Sequence, residues 1–288
     1  MKKIKLAFIL AFFSISSTSA EVINPIYGAT LKDYMEFKPK NIATQRYYYG
    51  ADKENNFFDF YVPKGLDKKK PAIAVIHGGC WDSKFEGFQQ AGEVVDFFLK
   101  NGYAVFNVEY TKADTSGGYP TTYSDISNAL IKITEVLNDK QITESGITLI
   151  GHSAGGHLAS WAASGGEETH SKNYLSKVKI NQAIGLGAIV DLKVAETACP
   201  NIIRFGGIDK ISGKKMESTS PILMRNNFRI TLINGGEDNI APGKYAEDYA
   251  KTHKDNVIIS MIPEATHYDL MSSKSGVLNV VLNVLNED

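Results

Sequence analysis

The 288-residue chain has few histidines and cysteines, and it has no long run of charges of one sign. It contains six histidines and two cysteines, and neither set has the spacing of a zinc site. We therefore expect no metal and no other cofactor. The 32 acidic and 31 basic residues are intermixed along the sequence, so a nucleic-acid-binding surface is not expected either.

The chain also lacks an apolar segment long enough to cross a membrane. Residues 6–15 are almost entirely apolar, but a membrane-spanning helix needs about 20 such residues. Lysines precede this run and small residues follow it up to Ala20, which is the pattern of a cleavable secretory signal peptide. We predict a signal peptide over residues 1–20, cut after Ala20. The mature chain, residues 21–288, is then periplasmic or secreted, with no stable membrane anchor.

Strand-like and helix-like patterns alternate along residues 21–288, which we predict to form one domain. Two segments on either side of a polar turn predict an antiparallel hairpin, at 47–49 and 57–62. Buried apolar strands are predicted next, at 72–76, 104–108, 147–150, 178–190, 229–233 and 257–262, and helices at 86–100, 123–137, 156–163 and 276–285. This order is typical of an α/β fold with a mostly parallel central sheet and helices on both faces. The more polar segment 192–227 predicts a small cap insertion.

The strand at 147–150 runs directly into the sequence Gly-His-Ser-Ala-Gly at 151–155. A serine on a sharp turn between a strand and a helix takes a strained backbone conformation, and glycines on both sides give it room. The serine side chain then projects above the sheet, beside the N-terminus of the following helix. We predict that Ser153 is a nucleophile. The alternative is a glycine-rich turn with an incidental serine.

The strand at 72–76 leads into a second motif, His-Gly-Gly-Cys-Trp at 77–81. Glycines in such a loop leave backbone N–H groups free to bind the negative charge that develops on a carbonyl oxygen during acyl transfer. His77 is expected to hold this loop by hydrogen bonding rather than to transfer a proton, and Trp81 to support the loop. The predicted donors of this oxyanion hole are the N–H groups of Gly78, Gly79, Cys80 and Ala154.

Among the remaining histidines, His267 is the candidate for a general base. Two others, His152 and His157, are too close to Ser153 in sequence to approach it from across the site. Another two, His170 and His253, lie in polar segments that we expect to be exposed. His267 instead follows the strand at 257–262, in a loop at the carboxyl side of the sheet, where folds of this class bind ligands.

The acid that orients this base is expected in the loop after the neighbouring strand at 229–233. Asp238 lies in that loop, and so does Glu237. Asp191 and Asp209 are further candidates. The residues alone therefore favour Asp238 without excluding the other three.

The two motifs together resemble the esterase/lipase branch of the α/β-hydrolases, which includes hormone-sensitive-lipase-like esterases, arylformamidases and feruloyl-esterase-like enzymes. The segment Asn-Gly-x-x-Asp at 234–238 is similar to the acid loop of that branch, so the resemblance implies that Asp238 is the acid. The order Ser153, Asp238, His267 is also the order of the α/β-hydrolase fold. The sequence departs from the pattern at Asn234, where the branch usually has histidine. It departs again at Cys80, where many members have a third glycine, and this leaves the oxyanion geometry open.

The resemblance and the residues lead to one favoured function, an exported serine hydrolase that cleaves small acyl or aryl carboxylic esters. Ser153 would attack the acyl carbon, His267 would accept its proton, and an acyl-enzyme would be hydrolysed by water. The expected partner is a small-molecule ester substrate. The alternatives are an arylformamidase-like or peptidase-like amide hydrolase with the same triad, and a non-catalytic binding protein on this fold.

The two cysteines predict a disulfide between Cys80 and Cys199. Export would place both thiols in an oxidising compartment, and both cysteines follow strands whose carboxyl ends meet at one edge of a parallel sheet. The alternative is two separate buried thiols.

Overall fold

The structure of the protein is a computed structural model that describes residues 24–37, 40–85, 87–166, 177–253 and 255–286. The predicted signal peptide and His170 lie outside these residues. Within the described ranges, no helix is both long enough and apolar enough to cross a membrane.

The strands of the described chain form one sheet, in the order β1-β2-β4-β3-β5-β6-β7-β8. They are β1 (Gln45–Tyr48), β2 (Phe57–Tyr61), β3 (Ala72–Ile76), β4 (Val105–Val108), β5 (Ile147–His152), β6 (Ile180–Leu186), β7 (Arg229–Gly235) and β8 (Val257–Ile262). β2 pairs antiparallel with β1 and with β4, and all other neighbours pair parallel. The predicted hairpin and mostly parallel sheet are confirmed.

Helices cover both faces of this sheet, as expected for parallel strands joined by crossover connections. The α-helices are α1 (Leu31–Glu36), α2 (Gly92–Lys100), α3 (Thr121–Lys140), α4 (Ala154–Ala163), α5 (Ala195–Ala198), α6 (Gly207–Ser212), α7 (Met216–Thr219), α8 (Lys244–Thr252) and α9 (Val277–Asn286). Apolar residues of α3, α4 and α8 join one core, and those of α1, α2 and α9 join the other. The fold is therefore an α/β sandwich of three layers.

Strand β3 illustrates why the sequence folds in this way. All five of its residues are buried, and they alternate between the two cores. Ala72, Ala74 and Ile76 lie in the core with α3 and α4, whereas Ile73 and Val75 lie in the core with α2 and α9. A strand with helices on both sides must be apolar at every position, and this is the reason that an uninterrupted apolar run predicted it.

Two predicted elements begin or end differently in the structure. The strand predicted at 178–190 ends at Leu186, because Gly187 takes a φ of +54° and turns the chain out of the sheet. The helix predicted at 86–100 becomes a 3₁₀ turn over Phe88–Ala91 followed by α2.

The expectation of buried strands is wrong for β8, which is an edge strand paired only with β7. Its side chains Ile258, Ile259 and Met261 are all more than 40 % exposed. The apolar run over 257–262 looks the same in sequence as the runs of the inner strands. The position of a strand within the sheet is set by pairing that the run itself does not encode.

Segment 192–227 forms the predicted small cap, built from α5, α6, α7 and short 3₁₀ turns. Its apolar side chains Leu192, Ile202 and Ile211 are fully buried in the core on the α3 and α4 face. The cap also joins the segment that follows β6 through a hydrogen bond from the Ile222 N–H to the Val190 carbonyl at 3.0 Å. It is therefore a packed part of the domain despite its polar sequence.

The loop after β3 is attached to this cap by covalent and ionic links. Cys80 and Cys199 form a disulfide, as predicted, with their Cα atoms 5.6 Å apart. Two residues farther along the loop, the carboxylate of Asp82 accepts a hydrogen bond from the Asn201 amide at 2.7 Å and forms an ion pair with Arg204. The cap therefore lies against the loop that carries the predicted oxyanion donors.

Candidate active site

Ser153 lies on the turn between β5 and α4 with a backbone φ of +53° and ψ of −118°, a conformation that strains any residue with a side chain. A Cβ atom on Gly151 would lie 2.2 Å from the Gly155 carbonyl oxygen, and one on Gly155 would lie 2.1 Å from the Ile76 carbonyl oxygen. The two glycines of the motif are therefore required by the close approach of backbone to backbone. The serine itself is 2 % exposed.

His267 and Asp238 are joined by a hydrogen bond of 2.7 Å between Nδ1 and Oδ2. Because a carboxylate only accepts, Nδ1 carries the proton and Nε2 is left free to accept one. The other oxygen of Asp238 accepts the N–H groups of Ile240 at 2.9 Å and Ala241 at 2.7 Å. Burial would raise the pKa of Asp238, but the hydrogen bonds from His267, Ala241 and Ile240 outweigh burial and hold the pKa below its usual value.

The end of β6 brings the three candidate residues to one place. The Leu186 carbonyl accepts the Ser153 N–H at 2.9 Å. At the next residue, a Cβ atom on Gly187 would lie 2.9 Å from His267 Nδ1 and 3.0 Å from Asp238 Oδ2. Gly187 therefore leaves room for the histidine and the aspartate directly beside the nucleophile turn. The sequence analysis missed its role, although a glycine at the end of an apolar run is a visible signal.

Asp238 is the one of the four candidate acids that is bonded to His267. Glu237 is exposed, and Asp191 accepts the Lys193 N–H at the start of a 3₁₀ turn. Asp209 forms an exposed ion pair with Lys214 at 3.5 Å.

Among the other histidines, His157 is buried and is bonded to the Tyr123 hydroxyl and the Ile189 carbonyl, each at 3.1 Å. The expectation that His253 is exposed is wrong. It is half-buried beneath the cap, with Nε2 bonded to the Ile222 carbonyl at 3.2 Å, because the polar end of α8 packs against the cap.

The predicted oxyanion loop turns sharply, with positive φ values at Gly79 (+98°), Cys80 (+53°) and Trp81 (+52°). A Cβ atom on Gly78 would lie 3.2 Å from Ser153 Cβ, so the loop backbone approaches the serine closely. Trp81 is buried and packs edge-on against His157, with ring centroids 5.4 Å apart. Among the described residues, no hydrogen-bond acceptor lies on the N–H groups at the predicted oxyanion positions 79, 80 and 154. The N–H of Gly78, the fourth predicted donor, faces the Tyr34 hydroxyl instead.

His77 lies beneath this loop and contacts two oxygen acceptors. Its Nε2 is 2.8 Å from Glu109 Oε1, and its Nδ1 is 2.8 Å from the Gly78 carbonyl oxygen. These two contacts hold the ring between the Glu109 carboxylate and the backbone of the loop. The Tyr110 ring stacks flat on the imidazole at 4.3 Å, and Lys112 pairs with the same carboxylate. The expected role of His77 as a loop support is consistent with these contacts.

Glu109 joins this network, and the sequence analysis missed it. Burial would raise the pKa of Glu109, but His77 and Lys112 outweigh burial and lower it to about 2. A glutamate directly after an apolar strand was a visible signal, because a buried carboxylate needs partners. Close packing adds a further constraint, because a Cβ atom on Gly87 would overlap the Glu109 carboxylate.

Comparison with known proteins begins with a family model, which matches residues 58–251 under the description BD-FAE. The chain belongs to the BD-FAE family. This family is one of hydrolases in the esterase branch of the α/β-hydrolase fold, so the expected resemblance is confirmed. The matched region contains Ser153 and Asp238, whereas His267 and the segment 24–37 lie outside it.

This BD-FAE member is also similar to individual proteins. It is 24 % identical to a kynurenine formamidase of Salmo salar over 227 residues, which are 77 % of this chain and 74 % of that protein. A truncated carbohydrate esterase from gut microbiota superimposes with a TM-score of 0.70 at 18 % identity, over 87 % of this chain and 98 % of that one. The propionate-bound esterase Est2 of Thermogutta terrifontis superimposes with a TM-score of 0.70 at 17 % identity, covering 86 % and 96 %. These structural likenesses show the α/β-hydrolase fold.

The network under the oxyanion loop leads to a prediction for Glu109→Gln. The carboxylate has a lowered pKa in the folded protein, so its stabilising contribution is full above the ordinary value of 4.5 and is lost as the pH falls towards 2. We expect the variant to lose about 3–5 kcal/mol of unfolding free energy at neutral pH. The difference from the unmodified protein should shrink near pH 3. Denaturant unfolding at the two pH values measures it.

Glu135→Gln is the matched control, since Glu135 forms a partly exposed ion pair with Lys132 at 2.8 Å. Removal of that pair should cost less than about 1 kcal/mol at either pH. An equal loss for Glu109→Gln at neutral and acidic pH would contradict the ionised state of Glu109.

Proposed function

We propose that this BD-FAE member hydrolyses small carboxylic esters with Ser153 as nucleophile, His267 as general base and Asp238 as the acid that orients the base. The single observation that carries the proposal is the 2.7 Å bond between buried His267 and buried Asp238, beside a serine in a strained turn. A structural hydrogen bond alone would not require the strain at Ser153. Strain of this kind is stored where a side chain must be presented to a reactant.

The reaction follows from which atom holds each proton. Ser153 Oγ attacks the acyl carbon while its proton moves to His267 Nε2, and Asp238 stabilises the imidazolium that forms. The carbonyl oxygen becomes an oxyanion, and the N–H groups of Gly79, Cys80 and Ala154 are the proposed donors to it. The alcohol leaves with the proton from His267, and an acyl-enzyme remains. Water then attacks the acyl carbon and gives a proton to His267 Nε2, which passes it to Ser153 Oγ as the carboxylic acid leaves.

Short acyl groups fit the geometry of the site better than long ones. Ser153 and His267 are 2 % and 4 % exposed, and the disulfide fixes the cap against the oxyanion loop. A site so enclosed favours a small acyl group over a long chain. The propionate bound to the similar esterase Est2 is a small acyl product of this kind.

Amide hydrolysis is the second candidate function, and the kynurenine formamidase of Salmo salar favours it. A formamide has the smallest possible acyl group, and its hydrolysis uses the same nucleophile, base and oxyanion donors. The leaving group is an aromatic amine rather than an alcohol, and the imidazolium of His267 protonates it.

Export is part of the proposal. The pattern over residues 1–20 is that of a cleavable signal peptide, and the Cys80–Cys199 disulfide is typical of an oxidising compartment. The proposed location of the mature chain is therefore the periplasm or the exterior of the cell.

The nucleophile is tested with Ser153→Ala. We expect a loss of about 10⁶-fold in kcat, the size of the loss when the nucleophile of a serine protease is removed. A fluorophosphonate probe should label the unmodified protein and leave this variant unlabelled. Ser160→Ala is the control, because Ser160 is a fully buried serine on the same helix and should remain fully active. Labelling of Ser153→Ala at the full level would end the assignment.

The acid is tested by comparing Asp238→Asn with Glu237→Gln. The first change replaces one carboxylate oxygen with an NH2 donor, so the proton is no longer fixed on His267 Nδ1, and we expect a loss of about 10⁴-fold in kcat. The second changes an exposed neighbour and should have little effect. Steady-state kinetics on one aryl ester measures both. The reverse order of effects would transfer the role to Glu237.

The substrate class is tested with a hydrolysis panel. We expect kcat/KM to be highest for acetyl to butyryl aryl esters and to fall for octanoyl esters. N-formylkynurenine and acetylated or feruloylated sugars extend the panel to the second candidate function and to sugar-linked esters. A preference for emulsified long-chain triglycerides would contradict the enclosed site, and a preference for the formamide would make the second candidate the function.

A further inference from the structure

Residues 24–37, which we call the N-terminal strap, contact the loop that carries His267 and the residue before Ser153, although they lie outside the region that the family model matches. The strap contains α1, which begins with a capping box between Thr30 and Asp33. Tyr34 is the buried residue of this helix. The helix is short and its other residues are mostly exposed, so its position depends on a small number of contacts.

One buried carboxylate joins the strap to the loop that carries His267. Asp269 is fully buried and accepts the N–H groups of Gly28 and Ala29 from the strap, each at 2.9 Å. The same carboxylate accepts the N–H of Thr266 at 2.8 Å and its hydroxyl at 2.7 Å. Because Asp269 and Thr266 lie on either side of His267, these bonds tie the strap to the loop that carries His267.

Tyr34 makes a second link, which passes through the residue before the nucleophile. The Tyr34 hydroxyl lies 3.1 Å from His152 Nδ1, and His152 Nε2 lies 3.0 Å from the backbone carbonyl oxygen of His267. The carbonyl only accepts, so Nε2 of the neutral ring carries the proton and Nδ1 accepts from Tyr34. Burial lowers the pKa of His152 to about 3 and raises the pKa of Tyr34 well above its usual value. The chain of donors therefore runs from Tyr34 to His152 to His267.

The rings around this chain are in contact as well. The His152 and His267 rings are 4.4 Å apart between centroids, and the Tyr34 ring is 5.4 Å from His152 and 5.5 Å from Tyr268. Since His152 is adjacent to Ser153 at the end of β5, its ring has a fixed position relative to the nucleophile. A bond from that ring to the His267 backbone therefore ties the base loop to the nucleophile turn.

We propose that Tyr34 is a positioning residue for this reaction, which acts through His152 to hold His267 at the correct distance from Ser153. The inference rests on the proposed function of His267 as the base. Asp238 fixes the direction of the imidazole ring, and the Tyr34–His152 pair fixes the backbone from which the ring extends. Both are needed, because a displacement of about 1 Å in a catalytic group reduces the rate by as much as about 100-fold.

Tyr34→Phe is the test, because it keeps the buried ring and removes only the hydroxyl. We expect kcat to fall by about 10-fold with KM changed less than 2-fold, because the position of the His267 backbone and not substrate binding is affected. Tyr27→Phe is the matched control, a change of the same kind at a half-buried tyrosine on the strap, and it should retain the full kcat. Unchanged kcat in Tyr34→Phe would overturn the proposal.

A double-mutant cycle separates positioning from a general effect on stability. His152→Gln replaces the ring with an amide that still offers an N–H near the Nε2 position. If Tyr34 acts through His152, Tyr34→Phe should cost nothing further in that variant, so the two losses in kcat should not multiply. Losses that multiply would overturn the proposal. So would a Tyr34→Phe protein that fails to fold, because the hydroxyl would then serve stability.

The proposed function and this inference fail in different ways. Absence of ester or formamide hydrolysis, or hydrolysis that survives Ser153→Ala, would contradict the proposed function itself. Hydrolysis that requires Ser153 but is unaffected by Tyr34→Phe would contradict only the role of Tyr34. Labelling rates with the fluorophosphonate probe give a second readout, because they report how well the base activates Ser153 without a turnover cycle.

Discussion

The left-handed backbone of Ser153 is the constraint on which the rest of the structure depends. For a residue with a side chain, such a conformation costs on the order of 1–3 kcal/mol of folding free energy. It persists only when the surrounding structure holds it. The Ser153 N–H donates to Leu186 at the end of β6, and its carbonyl accepts the N–H groups of His157 at 3.0 Å and Ile189 at 3.3 Å. One peptide segment is thereby held by β6, by α4 and by the chain that leads into the cap.

The buried carboxylates show how the site is organised electrostatically. Glu109 and Asp238 are buried and yet have lowered pKa values, whereas burial raises the pKa of Asp125 to about 6. The difference lies in the partners. Asp125 is bonded to the neutral groups of Thr111 and Asn56, while the other two face a histidine and further N–H or ammonium donors. The hydrogen-bonding and charged neighbours of Glu109 and Asp238, and not exposure to water, keep the two carboxylates ionised. The negative charges that hold the proposed oxyanion loop and the proposed base are therefore in place before substrate arrives.

The sequence predicts the parts of the site that are local in the chain. The strand at 147–150 is contiguous with the glycine and serine motif at 151–155, and the strand at 72–76 is contiguous with the motif at 77–81. The α/β alternation predicts that the carboxyl ends of both strands meet at one edge of the sheet. The contacts of Glu109, Gly187 and Tyr34 were missed because each joins segments far apart in sequence; Tyr34 and His152 are 118 positions apart. The exposed face of β8 was missed for a related reason, since an apolar run predicts a strand and not its neighbours.

The two loops at this edge of the sheet are held in the same manner from opposite sides. A loop beyond the last strand residue has no ladder partners, so its position must come from other segments. The cap holds the proposed oxyanion loop through Cys80–Cys199, and the strap holds the loop of the proposed base through Asp269. Reduction of the disulfide would still leave the Asp82 contacts with Asn201 and Arg204. The disulfide therefore stabilises a loop that polar contacts already hold against the cap. The contact between cap and loop does not depend only on the oxidation state of the two cysteines.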